Sequence, residues 1–104
     1  MPRPGRLLCV GKDPELLRTR CAVLGSAGYN AKSAVLPEAE TLLRTEEFDL
    51  IIVSAGLSDW KRGRILSTAG KTPTLVLTEL TLAVDLLDEV TRAYLRAASH
   101  ESDL

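Results

Sequence analysis

Residues 50–53, Leu-Ile-Ile-Val, form the most clearly strand-like run in the chain and decide its fold class. The run is apolar throughout and mostly β-branched, and it is too short for a helix. It does not alternate with polar residues, as it would if one face met water. Such a run is typical of a central strand in a parallel sheet, where helices cover both faces.

Three further strands are predicted on either side of this run. Residues 7–10 (Leu-Leu-Cys-Val) and 74–77 (Thr-Leu-Val-Leu) are short and apolar, and residues 30–35 form a weaker alternating segment. Each is separated from the next by a stretch with helical character. The spacing therefore predicts strands that alternate with helices along the chain.

Helix boundaries are marked by capping residues. Asp13 is suited to cap the first helix, with Pro14 in its first turn, and Gly25 and Gly28 are predicted to end it. A second helix is expected from Pro37, and a third, after a loop over residues 54–62, is expected to stop at Gly70. The last helix is predicted over residues 82–98, with an apolar stripe formed by Ala83, Leu86, Leu87, Val90, Tyr94 and Ala97.

The resulting order, β-α repeated four times, predicts an α/β protein with an open parallel sheet and helices on both faces. The 104 residues suffice for one domain, which we expect to span residues 1–104. Its core is expected over residues 6–98, with residues 99–104 as a polar tail.

Composition restricts the function. The 13 basic and 14 acidic residues give a net charge of −1, so no global field favours nucleic acid or an anionic membrane. No apolar run is long enough for a signal peptide or a membrane span, which predicts a cytoplasmic protein. Cys9 and Cys21 have no His or second Cys at metal-ligand spacing, and we expect both to be reduced and buried.

Three segments resemble the receiver domains of bacterial response regulators. Residues 7–17 (LLCVGKDPELL) are similar to the opening of that family, residues 47–54 (EFDLIIVS) to its third strand and residues 73–78 (PTLVLT) to its fourth. Residues 25–29 match its turn after the first helix. The resemblance covers residues 6–80 in order and implies a flavodoxin-like sheet, here truncated to four strands with the fifth missing or replaced.

The resemblance implies a specific chemistry in active members of the family. There, an Asp that ends the third strand accepts a phosphoryl group from a histidine kinase. Two acidic residues after the first strand hold Mg²⁺, a Thr or Ser ends the fourth strand, and a Lys follows the fifth. Here Gly11 and Lys12 replace the acidic pair and Ser54 stands at the acceptor position. Thr78 alone matches, and Asp13 is accounted for by its capping role. The chain is therefore predicted to be a degenerate receiver with no metal and no cofactor.

Three functions follow as hypotheses. The first is a non-enzymatic, phosphorylation-independent module of a two-component or phosphorelay system, which binds a kinase or output protein or forms a homodimer. The second is a sensor that binds a small anion or nucleotide phosphate at Lys12, Ser54 and Thr78. The third is a phosphoacceptor with an unusual residue. The simplest role for Lys12 is a direct hydrogen bond to Ser54 or to the backbone, which would fix one conformation.

Several residues are predicted to lie at an interface. Residues 74–77 form an apolar strand without a protecting Lys, and an exposed edge of this kind invites pairing with a second chain. Trp60, in a charged loop, is either an exposed contact residue or a cap on the core. The last helix corresponds either to the fourth helix of a receiver or to its final one. The predicted interface residues are Trp60, Thr74, Val76, Leu80 and Tyr94.

Overall fold

The computed structural model describes residues 5–54, 56–77 and 83–102, and in the last range the side chains of residues 86–96. Strands and helices alternate throughout these ranges, which confirms the α/β fold class. The strands are β1 (Arg6–Val10), β2 (Asn30–Ala34), β3 (Leu50–Val53) and β4 (Thr74–Val76). The helices are α1 (Pro14–Ser26), α2 (Glu38–Thr45), α3 (Asp59–Ala69) and α4 (Ala83–Ser102).

The four strands form one parallel sheet in the order β2-β1-β3-β4. This is the order of the first four strands of a flavodoxin-like sheet, with which the fold is compatible. In the register of the sheet, Ile51 pairs with Leu8 of β1 and Ile52 pairs with Leu75 of β4. Strand β3 is buried along its whole length, so the prediction that it is a central strand is confirmed.

Side-chain alternation along β1 and β3 divides the core into two clusters, one on each face of the sheet. Helices α1 and α4 cover one face, and α2 and α3 cover the other. The first cluster contains Leu7, Cys9, Leu17, Leu24, Leu50, Ile52, Leu75, Leu77, Leu86, Val90 and Ala93. The second contains Leu8, Val10, Ala34, Ala39, Phe48, Ile51, Val53, Leu57 and Ile65.

Helix α4 lies on the same face as α1, and this placement has a topological consequence. A right-handed crossover from β4 to a further strand beside it would need its helix on the face of α3. Helix α4 instead packs its Leu86 and Val90 into the α1 cluster. The sequence left open whether the last helix corresponds to the fourth helix of a receiver or to its final one. The placement of α4 on the face of α1 favours the second alternative. Strand β4 is thus at one end of the sheet in the described part of the chain.

The predicted boundaries of two helices are wrong. Helix α3 begins at Asp59 within the predicted loop, because the Ser58 side chain accepts a hydrogen bond from the Lys61 N–H at 3.3 Å and caps it. Trp60 therefore lies in a first helical turn. Helix α4 continues to Ser102, through part of the predicted tail, since residues 97–102 contain neither Gly nor Pro to stop it.

Other boundaries agree closely with prediction. Asp13 caps α1, accepting hydrogen bonds from the backbone N–H groups of Glu15 and Leu16. Helix α1 runs past Gly25, and it is Gly28 that takes the left-handed conformation (φ 97°) in the turn that follows. Strand β4 is shorter than predicted, although the Leu77 N–H still donates to the Val53 carbonyl at 2.9 Å. Among the helices of the described ranges, none combines the length and the apolar composition of a membrane span.

Candidate functional site

The carboxyl ends of β1 and β3 form the candidate site, because ligand chemistry in open α/β sheets gathers at that edge. Gly11, Lys12 and Asp13 follow β1, and Ser54 follows β3. The Ser54 N–H donates to the Val10 carbonyl at 2.9 Å, which continues the pairing of the two strands by one residue. The structure therefore brings Ser54 against the segment that follows β1.

Gly11 and Ser54 pack so closely that a side chain at residue 11 has no room. A Cβ atom at Gly11 would lie 2.5 Å from Ser54 Oγ, 3.0 Å from Ser54 Cβ and 3.1 Å from Leu17 Cδ2. Distances below 3 Å between such atoms require the structure to shift. We call the contact region of Gly11, Lys12 and Ser54 the corner. Its packing requires glycine at residue 11, and the corner would have to open to accept a carboxylate side chain there.

Arg20 of α1 binds Ser54 directly, and sequence reasoning missed it. The Arg20 Nη1 donates to Ser54 Oγ at 2.6 Å, and Ser54 is only 7% exposed. The hydrogen bond predicted from Lys12 to Ser54 or to the backbone is not found within the described residues, where the side-chain donor to Ser54 Oγ is Arg20. The signal was present in the helical pattern. Arg20 lies between Leu17 and Leu24 on the inward side of α1, where a guanidinium needs a partner.

Lys12 is exposed and extends toward the β3–α3 connection. A Cβ atom at Gly56 would lie 3.3 Å from Lys12 Cε, so the aliphatic stem passes close to this glycine. The corner thus carries two cationic side chains, Lys12 and Arg20, near one buried hydroxyl. Its carboxylate, Asp13, accepts backbone hydrogen bonds from α1. Within the residues that the structure describes, no three His, Cys, Asp or Glu side chains are grouped to hold a metal ion.

Removing the Arg20 guanidinium is expected to destabilise the chain modestly. The Arg20→Met variant keeps an apolar stem but leaves the buried Ser54 hydroxyl without its charged donor. We expect the free energy of unfolding to fall by about 1 kcal/mol, measured by urea denaturation. Arg18→Met is the matched control on the exposed side of α1, and it should change the value by less than about 0.5 kcal/mol. Equal losses in the two variants would contradict a contribution from the Arg20–Ser54 bond.

Trp60 is exposed and belongs to a cluster that joins α2 and α3. Trp60 is 67% exposed, so the interpretation that its ring caps the core is wrong. The Arg64 guanidinium lies over the ring, 5.2 Å from its centroid. Arg64 also donates through Nε and Nη2 to the two carboxylate oxygens of Glu40, at 2.6 and 2.8 Å. This pairing holds the pKa of Glu40, which is 5% exposed, below its usual value. It also holds the Arg64 guanidinium in position over the Trp60 ring.

Strand β4 and helix α4 border a groove at the end of the sheet. Val76 is 39% exposed on β4. The groove has a volume of about 240 Å³, and its lining residues are Leu75, Val76, Glu89, Arg92 and Arg96. Thr74, half-buried, begins the same strand and donates its hydroxyl to the Thr72 carbonyl. This surface combines an edge strand, apolar side chains and both signs of charge.

The remaining predicted site residues are not brought to this groove. Tyr94 is half-buried and stacks on Tyr29, with ring centroids 5.8 Å apart, so it packs within the α1–α4 cluster. Burial raises the pKa of its hydroxyl to about 12. Thr78 and Leu80 lie outside the described residues.

No protein-family model, no curated protein and no solved structure matches the chain. The fold and the site geometry define it as an α/β protein with a four-stranded parallel sheet.

Proposed function

We propose that the chain is a receiver-like signalling module that works without phosphorylation, through contacts with other protein surfaces. The observation that carries this proposal is the hydrogen bond from Arg20 to Ser54. Ser54 stands where the receiver resemblance requires the acceptor Asp, and its hydroxyl is buried and bound by a cation. An alcohol needs a general base to attack a phosphoryl group, and a guanidinium cannot serve as one.

The charge of the corner also opposes the metal that receiver chemistry requires. Mg²⁺ binds carboxylate oxygens, and it would meet Lys12 and Arg20 here. The same cations favour the alternative function, binding of a small anion. However, Arg20 already donates to Ser54, and the stem of Lys12 extends toward Gly56. These contacts favour a corner that holds one conformation, and signalling then depends on the outer surfaces of the module.

The end of the sheet at β4 is the surface we assign to self-association. An edge strand presents N–H and C=O groups to a second strand, and Val76 adds exposed apolar area. Glu89, Arg92 and Arg96 line the neighbouring groove. Because this surface carries both signs of charge, a two-fold axis can place Glu89 of one copy near Arg96 of the other. We therefore propose a homodimer, located in the cytoplasm, where free thiols such as Cys9 and Cys21 persist.

Molar mass by light scattering tests both parts of the proposal. We expect a dimer in a concentration series up to the millimolar range, with the same dissociation constant after Mg²⁺ and beryllofluoride are added. Val76→Lys should raise that constant at least about tenfold, because it places like charges opposite each other at the two-fold interface.

The matched control for this experiment is Leu95→Lys. Leu95 is 63% exposed on α4 and does not line the groove, so the same change in charge should leave the dissociation constant nearly unchanged. A strict monomer at every concentration would contradict self-association. A dimer that forms only with Mg²⁺ and beryllofluoride would contradict independence from phosphorylation.

A further inference from the structure

Trp60 is the most exposed large apolar side chain in the part of the chain that the structure describes. It is 67% exposed in the first turn of α3, and it is the only tryptophan in the sequence. The Arg64 guanidinium lies one turn further along the same helix, 5.2 Å from the centroid of the ring. Because Trp and Arg are enriched among the residues that dominate binding energy at protein interfaces, this pair has the composition of a contact centre.

A buried carboxylate fixes the Trp60–Arg64 pair in place. Arg64 donates through Nε and Nη2 to Glu40 of α2, at 2.6 and 2.8 Å, and the Glu40 side chain is only 6% exposed. The Arg44 guanidinium approaches the same carboxylate to 3.6 Å. A side chain that is already ordered loses less conformational entropy when a partner binds. The guanidinium is therefore held beside the ring in advance, and the exposed remainder of the ring is available to a partner.

The charge presented next to the ring is positive. Helices α2 and α3 together contain four basic and three acidic residues, and one of the acids, Glu40, is nearly buried. Arg64 and Arg44 keep 47% and 65% of their side chains exposed. Lys61, which follows Trp60, is exposed as well. A partner therefore meets cationic groups around the ring, and these are complementary to carboxylates.

The exposed acids of the two helices, Glu38 and Asp59, lie at the first positions of α2 and α3. The Asp59 carboxylate is already paired, since Arg62 Nη2 donates to it at 2.6 Å. Gly63 is an exposed helical position three residues after Trp60, and nothing lies within 4 Å of a Cβ atom there. The helix surface beside the ring is thus open, and a partner backbone can approach it closely.

We propose that the outer face of α2 and α3 is a docking surface for an acidic segment of a partner protein. Its contact residues are Arg44, Trp60, Lys61 and Arg64. The indole ring would pack against apolar atoms of that segment, and the cations would bind its carboxylates. This surface lies on the side of the sheet covered by α2 and α3, whereas β4 and α4 border the groove of the proposed dimer. The inference therefore goes beyond the dimer, and either one can fail without the other.

The test uses the full chain and a random peptide library displayed on phage. We expect the enriched peptides to contain more Asp and Glu than Lys and Arg. Enriched peptides without tryptophan are then titrated, and they should shift the fluorescence of Trp60, the only tryptophan of the chain. Their affinity should fall as salt is added, because the cations of the surface are exposed. No enrichment, or enrichment of peptides without acidic residues, would overturn the proposal.

Variants locate the bound peptide, with titration calorimetry as the readout. Trp60→Ala should weaken binding at least about tenfold. Leu95→Ala is the matched control, a similarly exposed apolar residue on α4, and it should leave the affinity nearly unchanged. Arg44→Gln should weaken binding at least about threefold, and Arg18→Gln, at an exposed position of α1, is its control. All four residues are exposed, so the variants should remain folded.

Two results with these variants would overturn the proposal. Unchanged affinity in Trp60→Ala would place the peptide elsewhere on the chain. A dimer that dissociates in Trp60→Ala, measured by light scattering, would make a second copy of the chain the occupant of this surface. Val76→Lys should leave the peptide affinity unchanged, so loss of the proposed dimer and loss of peptide binding are separate results.

Discussion

Replacing Ile52 with alanine is expected to lower the free energy of unfolding by about 4 kcal/mol. Ile52 is 1% exposed on β3, paired with Cys9 on one side and Leu75 on the other. Its side chain belongs to the cluster covered by α1 and α4. Truncation removes buried methyl and methylene groups and leaves a cavity that neighbours on both flanking strands must line. The measurement is urea denaturation followed by circular dichroism at low temperature, since such a loss is a large part of a domain's stability.

Val76→Ala provides the comparison within the same sheet. Val76 is on β4, 39% exposed, and it already meets solvent, so we expect a loss of about 1 kcal/mol or less. The difference between the two losses in free energy of unfolding compares the burial of a side chain on β3 with that of one on β4. Losses of the same size would contradict the strand order in which β3 is interior and β4 terminal.

The fold was predictable because burial leaves a direct pattern in the sequence. A strand covered on both faces must be apolar at every position, and residues 50–53 have that composition. The strands and the capping residue Asp13 depend on neighbours within a few positions of the chain. Helix ends were less certain. Ser58 is an ordinary capping residue, but it stands in a stretch that also reads as a loop, and α4 continues where no residue forces it to stop.

The site was less predictable because its contacts join distant parts of the chain. Arg20 and Ser54 are 34 residues apart, and Glu40 and Arg64 are 24 residues apart. A long guanidinium can reach several partners, so spacing alone does not select among them. The sequence identified Ser54, Gly11 and Lys12 through their positions at strand ends. It assigned a hydrogen bond to Lys12, the cation that follows β1, with Ser54 or the backbone as partner, whereas the structure supplies the donor to Ser54 from helix α1.

Trp60 illustrates the same difficulty for surfaces. A lone Trp among charged residues is compatible with burial under a loop and with exposure, and local composition does not decide between them. The outcome depends on Arg64, which stacks on the ring, and on Glu40, which holds Arg64 from another helix. Exposure of this side chain therefore follows from packing between α2 and α3, which a single sequence does not specify.

Replacing Gly11 with alanine is expected to destabilise the chain by about 2 kcal/mol, since the new Cβ would overlap Ser54 Oγ at 2.5 Å and press on Leu17 at 3.1 Å. Gly63→Ala is the matched control. Nothing lies within 4 Å of a Cβ there, and the site is an exposed helical position, so alanine should stabilise by about 0.5–1 kcal/mol. Urea denaturation of both variants measures the difference. Equal effects would contradict the close packing of Gly11 against Ser54.

A double-mutant cycle with Ser54→Gly assigns the clash to its source. Removing the Ser54 side chain removes two of the three close atoms, so Gly11→Ala should cost about 1 kcal/mol less in that background. Additive effects would instead place the strain at Leu17. The same geometry bears on function, because Gly11→Asp carries the identical Cβ together with a carboxylate. An acidic residue at position 11 is therefore expected to require Ser54 to move first, and that coupling makes the corner a packed structural element that does not accept a carboxylate without rearrangement.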